Sequence, residues 1–195
     1  MRGKPLVRLS LIGSAALCLV GGVASSAYGQ ARSVKVTQNG TDTLELAEVQ
    51  AFQSGTGTNV ASQANGGVAS ATSSAFGTEP GDANDASAAQ GFDSGSVWHS
   101  GDPGQNQMLT VTFSQDYNIG SVTILGRNDG CCLNRNDNLT VQLLNAAGTP
   151  IFTQTGVSLG GPNESATITI PEPSTLAGLA GLAGLGLLAR RQRRR

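Results

Sequence analysis

Residues 121–152 read SVTILGRNDGCCLNRNDNLTVQLLNAAGTPIF, and this stretch decides the fold. Ser121–Arg127 and Leu139–Asn145 are short runs of aliphatic, β-branched and polar residues, and a third such run begins at Pro150. Short runs of this composition, separated by turns that contain Gly and Asn at intervals of about ten residues, are typical of antiparallel strands. The stretch therefore predicts consecutive strands of an antiparallel β-sandwich.

Further strand-like runs lie on both sides of this stretch. They are Ser33–Thr37, Leu44–Phe52, Met108–Phe113, Pro150–Gln154 and Ala166–Ile170. Asn39 and Gly40 lie between the first two runs and predict a hairpin, because Asn-Gly favours tight turns between strands. LELAEVQ, in the second run, also has helical propensity, but its short length and its β-branched neighbour favour a strand. Hydrophobic residues are sparse between Gln53 and Gly95, which predicts extended loops with one short strand around Val60.

Arg127–Arg135, reading RNDGCCLNR, is the part of the stretch that carries binding chemistry. The two arginines present forks of N–H donors, which suit the vicinal hydroxyls of a sugar or an anionic group. Cys131 and Cys132 are adjacent, and a bond between them would close a small ring that stiffens the loop. The alternative interpretation is a polar surface loop with two unbonded thiols.

Residues 1–29 have the pattern of a secretory signal peptide. Basic residues precede the apolar run Leu9–Ala24, and small residues follow it. This order predicts export and removal of the segment, together with Cys18. The mature chain would keep only Cys131 and Cys132, in an exported compartment where a vicinal disulfide between them can persist.

Residues 171–195 form a second terminal signal. Pro171, Glu172 and Pro173 precede the apolar run Leu176–Ala189 and an arginine-rich tail. Such a short run spans a bilayer poorly, but the arginines would hold its end in the cytoplasm, which predicts a stop-transfer segment. A buried or amphipathic terminal helix is the alternative, and the regular glycines and the missing polar face disfavour it.

This C-terminal segment closely resembles the PEP-CTERM sorting signal of Gram-negative bacteria. It contains all three parts of that signal: the Pro-Glu-Pro motif, the hydrophobic stretch and the arginine cluster. The resemblance implies transient anchoring in the inner membrane and cleavage by an exosortase near the Pro-Glu-Pro motif. It also implies release to the cell surface or into an exopolysaccharide matrix.

The body between the two signals, residues 30–170, is long enough for one domain with its own core. It contains four Lys or Arg residues against twelve Asp or Glu residues, so its formal charge is −8. The value of −1 for the whole chain hides this imbalance, because the other basic residues lie in the terminal signals. A negative body argues against nucleic-acid binding, which needs a clustered positive surface.

Ser121–Phe152 resembles the middle of a discoidin-like domain, the galactose-binding jelly roll of the coagulation factor 5/8 type C group. Its loop is most similar to the fucose-binding F-type lectins, which combine a histidine with an arginine, an aspartate, a vicinal cysteine pair and a second arginine. The matching residues, in order, are His99, Arg127, Asp129, Cys131, Cys132 and Arg135. The resemblance implies a β-sandwich that binds a fucose- or galactose-like sugar through the histidine, the arginines and the aspartate.

Gly130 departs from the lectin pattern. It is an extra residue between Asp129 and the cysteines, so Arg135 lies one position further from Arg127 than in the lectin motif. This departure favours a sandwich that has kept the fold and lost the site.

A second departure is the order of strands. Val34–Phe52 resembles the strand pair that closes a discoidin-like domain, but here it opens the body. We therefore hypothesise a circular permutation, which close termini in a sandwich make tolerable. A strand Leu44–Phe52 lying away from the sheet that ends near Ile170 would contradict this hypothesis.

The lectin resemblance also implies a structural calcium ion beside the binding face. The corresponding acidic residues are Asp93 in GFDSG and Glu48 in LAEV. Calcium prefers several hard oxygen ligands from carboxylates and backbone carbonyls. The alternatives are a turn role for Asp93 and an exposed strand position for Glu48.

Trp98 and His99 are the only tryptophan and the only histidine of the chain, and they are neighbours. The histidine could accept a hydrogen bond from a sugar hydroxyl, and the tryptophan could form an apolar wall or belong to the core. We expect a binding role for His99 and a core position for Trp98.

Three classes of function follow. The first is a carbohydrate-binding module at the cell surface or in a glycan matrix, and the second is a structural matrix protein without a working site. The third, an enzyme, is disfavoured because the sequence has no Gly-x-Ser-x-Gly motif, no second histidine and no His/Cys metal cluster. The sequence therefore predicts a binding protein and no catalytic residues.

Overall fold

A computed structural model describes residues 29–104, 106–160 and 164–171, and in this part of the chain the regular structure is almost entirely β. The strands are β1 (Ala31–Gln38), β2 (Glu45–Gln53), β3 (Val68–Ala71), β4 (Trp98–His99), β5 (Met108–Tyr117), β6 (Ile119–Gly126), β7 (Leu139–Leu144), β8 (Pro150–Val157) and β9 (Ser165–Thr169). The predicted all-β fold is confirmed.

The strands form two antiparallel sheets. One has five strands in the order β3-β5-β1-β7-β8, and the other has four in the order β4-β2-β6-β9. Every pairing within both sheets is antiparallel. The predicted antiparallel β-sandwich is therefore the observed architecture.

β7 shows why these segments form strands. Leu139, Val141 and Leu143 are buried while the residues between them are partly exposed, so one face of the strand lies in the core. The core cluster joins them to apolar residues of the other sheet, such as Val122 and Ile124 of β6. Complete burial of one such side chain stabilises the fold by about 1.5–3 kcal/mol.

Trp98 belongs to the same core. Its side chain is fully buried, and its Nε1–H donates to the Ser74 hydroxyl at 2.9 Å, so the indole has a polar partner as well as apolar contacts. The expected core position of Trp98 is confirmed.

β2 differs from the other strands because its first five residues are all buried in succession, without alternation. Leu46 and Val49 both belong to the core cluster although they are three positions apart. The register against β6 shifts between Leu46 and Glu48, and this irregularity allows the unusual spacing. The same shift leaves Glu45 and Glu48, also three positions apart, buried outside the apolar cluster.

The hairpin predicted around Asn39 and Gly40 is wrong. β1 pairs with β5 and β7, while β2 pairs with β4 and β6, so the segment between them crosses from one sheet to the other. The Asn39 amide donates instead to the Asn138 carbonyl at 2.6 Å and to the Thr140 hydroxyl at 2.9 Å. β1 and β2 each form backbone hydrogen bonds with two other strands of their own sheets. These pairings outweigh the preference of Asn-Gly for a hairpin turn.

The long segment after β2 is more ordered than its composition suggests. Around Val60 there is only a bridge between Phe52 and Asn59, and the strand β3 lies further on instead. Asn84 is fully buried, and its amide donates to the carbonyls of Ala61 at 2.8 Å and Gly67 at 3.2 Å. These bonds hold the segment against the sandwich.

The permutation hypothesis required that the strand around Glu48 and the strand near Ile170 share a sheet. β2 and β9 do lie in the same four-stranded sheet, with β6 between them. The hypothesis is not contradicted and stays a prediction.

The two terminal signals fall almost entirely outside the described residues. The predicted signal peptide up to residue 28 and the sorting segment from Glu172 onward, which includes Pro173, lie outside the described residues. Within the described ranges, every helix is too short or too polar to cross a membrane.

Candidate functional site

The loop between β6 and β7 carries the predicted site, and it crosses from the four-stranded sheet to the five-stranded one. The predicted residues on this loop meet His99 of β4 at the start of β2. Strand pairing explains the meeting, because His99 lies directly opposite Glu45 in the β2–β4 register. Glu45 is thereby placed at the centre of the site.

The Glu45 carboxylate contacts the predicted site residues His99, Arg127 and Arg135. Glu45 is 1% exposed. Its Oε1 lies 2.9 Å from His99 Nε2 and accepts a hydrogen bond from Arg135 Nη1, while its Oε2 lies 3.6 Å from Arg127 Nη1. Two guanidinium groups that are eight positions apart in sequence therefore converge on the same acid.

Arg127 is held on its other side by Asp129. The guanidinium donates from Nε to Oδ1 at 2.7 Å and from Nη2 to Oδ2 at 2.9 Å, which is a bidentate pair. The Asp129 carboxylate also accepts the backbone N–H groups of Phe92 at 3.1 Å and Cys131 at 3.3 Å. These hydrogen bonds, chiefly the one from Arg127, lower the pKa of Asp129 to about 2.

The same contacts act on the other partner of the pair. The hydrogen bonds that Arg127 donates to Asp129, together with the charge of Asp129, raise the pKa of Arg127 above its usual value, with a smaller contribution from Glu45. Arg127 is therefore charged and fixed in direction.

Arg135 is positioned mainly through its backbone. Its carbonyl accepts a hydrogen bond from the buried Gln38 amide of β1, and its Nη1 also lies 3.3 Å from the Thr43 hydroxyl. Its side chain stays partly exposed, so it can reach a ligand while it contacts Glu45.

Asn136 is a site residue that the sequence analysis missed. It is buried, its Oδ1 accepts the backbone N–H of Glu45 at 3.1 Å, and its Nδ2 donates to the Glu45 carbonyl at 2.7 Å. The amide thus pairs with both backbone groups of Glu45, much as a neighbouring strand would. Asn136 fixes the distance between the loop and β2.

Glu45 was also missed, although the sequence contains one signal for it. A charged residue within an apolar strand run, as in LELAEV, needs a partner when the strand is buried. No local feature identifies Asn136, since it lies in a run of polar residues.

The loop itself is tightly turned. Cys131 and Cys132 are bonded to each other, as expected for an exported chain. Gly130 has φ +83°, Cys132 has φ +66° and Asn138 has φ +60°, so three residues of the loop lie in the left-handed region. Gly130 therefore permits the turn in which Asp129 accepts the Cys131 N–H.

His99 has both ring nitrogens engaged. Nδ1 lies 2.5 Å from the Ser100 carbonyl oxygen and Nε2 faces Glu45. The residue is 5% exposed, so in this arrangement its direct role is to support Glu45.

Two phenylalanines flank these polar groups. Phe92 lies under Arg127, with 4.5 Å from the guanidinium carbon to the ring centre, and Phe76 contacts both Phe92 and His99 edge to face. Phe76 is 77% exposed and has φ +57°. A bulky apolar residue in that conformation is uncommon, and here it adds an apolar surface beside the arginines.

Glu48 forms a separate feature on the same strand. It is 0% exposed, and neither carboxylate oxygen has a hydrogen-bond partner among the described residues. Burial, reinforced by the charge of Asp85, raises the pKa of Glu48 to about 8. The Ala86 backbone N–H lies near enough to oppose this slightly without reaching hydrogen-bond geometry.

The two acids predicted to hold calcium lie in different settings. Glu48 is buried, so the alternative of an exposed strand charge is wrong. Asp93 is exposed in a short 3₁₀ turn, Phe92–Ser94. Within the described ranges, His, Cys, Asp and Glu residues form no group of three or more that could hold a metal ion.

The fold and the C-terminal segment together define the class of protein: an all-β sandwich in an exported chain. Residues 169–195 match the PEP-CTERM protein-sorting motif. This match confirms the prediction for the tail and indicates an exported protein that an exosortase processes through a C-terminal, membrane-anchoring sorting signal. The chain shows no significant similarity to a curated protein or to a solved structure. The discoidin-like and lectin resemblance of the body stays a prediction.

Proposed function

We propose that this exported protein binds carbohydrate, a fucose- or galactose-like sugar, through the loop between β6 and β7. The observation that carries the proposal is the convergence of Arg127 and Arg135 on Glu45 beside exposed aromatic surface. Two guanidinium groups fixed side by side offer several N–H donors to neighbouring hydroxyls of one sugar ring.

The aromatic side chains support the same ligand class. A sugar ring has polar edges and apolar C–H faces, and a site for it needs both donors and an apolar wall. Phe76 and Phe92 lie against His99 and Arg127 and supply such a wall next to the donors. The Cys131–Cys132 ring and the Arg127–Asp129 pair limit the motion of the loop, which lowers the entropy cost of binding.

Export fits this function. A shallow sugar site is weak by itself, but many copies at a cell surface or within an exopolysaccharide matrix would raise the effective affinity. We infer that the partners are glycans of such a matrix, that exosortase is a transient partner during processing, and that nucleic acid is not a partner.

A glycan panel tests the proposal. The purified chain, Arg127→Ala and Arg135→Ala are compared on fucosylated and galactosylated glycans, with calcium present. Arg32→Ala is the matched control, because Arg32 pairs with Asp116 at 2.6 Å and lies outside the loop. We expect each loop variant to lose at least about tenfold in affinity while the control is unchanged. Absence of binding to every glycan, or equal binding by all four proteins, would overturn the proposal.

The second candidate is a structural matrix protein that does not bind sugar. The observation that favours it is Glu45, because the arginines already have an acidic partner within the protein. The extra residue Gly130 points the same way. A silent glycan panel would select this candidate.

We propose a binding role rather than catalysis. Release of a reporter group from aryl glycosides by the purified chain, absent from a heat-denatured sample, would overturn that choice.

We also propose that a calcium ion lies at Glu48, as the lectin resemblance implies. The two buried oxygens without hydrogen-bond partners fit a cation, and Asp85 supplies a second negative charge close by. Backbone carbonyls would complete the ligand set, as calcium sites commonly require. Asp93 is the other acid that the resemblance names.

Thermal unfolding at pH 8 with calcium at about 1–5 mM, magnesium or a chelator tests this site. We expect calcium to raise the midpoint for the wild-type chain and to leave Glu48→Gln unchanged. Asp85→Asn and Asp93→Asn then show which acid assists, by the size of the calcium shift that each retains. An equal calcium shift in Glu48→Gln would place the ion elsewhere.

A further inference from the structure

Glu45 lies in an unexpected place for a site that binds through arginines. It is almost fully buried and contacts both guanidinium groups and His99. Three positively charged or chargeable groups therefore share a single acid, which the sequence resemblance did not include.

Charge at the site is balanced within the protein. Arg127 and Arg135 contribute two positive charges, and Glu45 and Asp129 oppose them with two negative ones. The pKa of Asp129, lowered to about 2, keeps this carboxylate negatively charged at neutral pH. Beyond the site, the body adds a formal charge of −8, so no long-range field attracts an anion.

We infer that Glu45 is a specificity-determining residue that makes this site select neutral sugars and reject acidic ones, such as uronates. The inference rests on the proposed function and deepens it. Glu45 acts on a ligand through the two arginines. Its carboxylate occupies one side of both guanidinium groups, and Asp129 holds Nε and Nη2 of Arg127, so hydroxyls meet the remaining N–H groups of Arg127 and the exposed part of Arg135. A ligand carboxylate would have to share donors with a buried carboxylate only a few ångströms away.

The position of Glu45 distinguishes this role from a purely structural one. A structural ion pair needs one partner, whereas Oε1 and Oε2 of Glu45 lie toward different arginines. Asn136 fixes the backbone of Glu45 through both of its amide atoms, and contacts with His99 and the two arginines hold the carboxylate itself. Rejection of acidic sugars is therefore built into the strand.

Matched ligands test the inference. Galactose and galacturonate differ only at C6, where a hydroxymethyl group is replaced by a carboxylate. The affinity of the full chain for each is measured by calorimetry at low and high salt, for the wild type, Glu45→Gln and Asp42→Asn. Asp42→Asn is the control, because it removes the same charge at an exposed position in the same segment.

We expect the wild type to bind galactose at least about tenfold more tightly than galacturonate, and Glu45→Gln to reduce or reverse that ratio by about tenfold. The control should keep the wild-type ratio. Added salt should weaken the discrimination, since part of it is electrostatic.

Three other results would overturn the inference, and only the last of them would also overturn the proposed function. If the wild type binds galactose and galacturonate equally, the inference is overturned while the proposed function stands. If Glu45→Gln folds, as circular dichroism would show, and keeps the wild-type ratio, the inference is also overturned. If the wild type binds no neutral sugar on the panel, the proposed function fails and this inference fails with it. The wild-type ratio needs no variant, so a misfolded Glu45→Gln leaves the test intact.

Discussion

Glu45 and Glu48 lie three positions apart on β2, both are buried, and they have opposite surroundings. Glu45 contacts two arginines and a histidine, whereas Glu48 has no hydrogen-bond partner among the described residues. Burial alone therefore does not decide how a carboxylate behaves. The partners decide it, and on β2 the loops that cover the strand supply them.

The difference separates two roles on one strand. Around Glu45, protein cations balance the charge, although its Oε2 has only the 3.6 Å ion-pair contact with Arg127 and no hydrogen bond among the described residues. Around Glu48, Asp85 adds like charge and raises the pKa of the carboxyl further, so the site is incomplete unless a proton or a cation joins it.

The largest expected effect is the pH dependence caused by Glu48 in the presence of a chelator. Its pKa is about 8 in the folded state, against the ordinary value of 4.5 in the unfolded chain. The folded state therefore holds more protons between these values, so this contribution to stability is complete below about pH 4.5 and is lost as the pH rises through about 8. Linkage makes the total loss about 5 kcal/mol.

Urea unfolding at several pH values between 5 and 8 measures this slope. In Glu48→Gln the side chain is neutral throughout, so its curve should be less steep than that of the wild type. Burial also raises the pKa of Glu164, and this group contributes to both curves. Asp129 titrates near pH 2 and lies outside this range. Equal slopes in the two proteins would show that Glu48 is not protonated in the folded state.

The second largest effect is expected for Glu45→Ala. This change leaves Arg127 and Arg135 facing each other without the acid between them, and loss of one member of a buried ion cluster costs about 3 kcal/mol. The partly exposed Arg135 can turn toward water, which keeps the cost from being larger. Urea unfolding at pH 7 measures it, with Asp42→Ala as the exposed control. A loss below about 0.5 kcal/mol would mean that Glu45 is dispensable to the cluster.

Asn136→Ala should destabilise the chain by about 2 kcal/mol, because it leaves the buried N–H and carbonyl of Glu45 without partners. Sugar binding should weaken as well, since the loop loses its link to β2. Asn134→Ala is the control on the same loop, at an exposed position. Unfolding by urea and the glycan panel provide the two measurements. Full stability in Asn136→Ala would contradict the role given to this amide.

The sequence was sufficient for the features that depend on local pattern. The run of aliphatic, β-branched and polar residues Leu139–Asn145 predicted β7, and the Pro-Glu-Pro motif, apolar run and arginine cluster of the tail predicted the sorting signal. The hairpin at Asn39-Gly40 failed because a turn signal carries no information about which sheet receives the next strand.

The centre of the site was beyond sequence reasoning for a related reason. Glu45 and Arg135 are 90 positions apart, and Glu45 and Asn136 are 91 positions apart. Their meeting depends on the packing of two sheets, which no local window of the chain contains. Arg127 and Asp129, by contrast, lie two positions apart, so a single local run of the sequence contains both members of the pair.

The smallest expected effect is the loss of stability caused by Gly130→Ala, in the loop beside Glu45. Gly130 has φ +83°, and no atom lies within 4 Å of the position that a Cβ would take, so Gly130→Ala meets only backbone strain. That strain costs about 1 kcal/mol. Gly160→Ala is a suitable control, because its Cβ position is also open and its φ lies outside the left-handed region. Thermal unfolding compares the two variants. Since Asp129 accepts the Cys131 N–H across Gly130, the strain falls on the loop that carries both arginines, and affinity for sugar should fall together with stability. Equal stability in the two variants would mean that the loop tolerates another conformation at position 130. Gly130 would then not be required for the turn in which Asp129 accepts the Cys131 N–H.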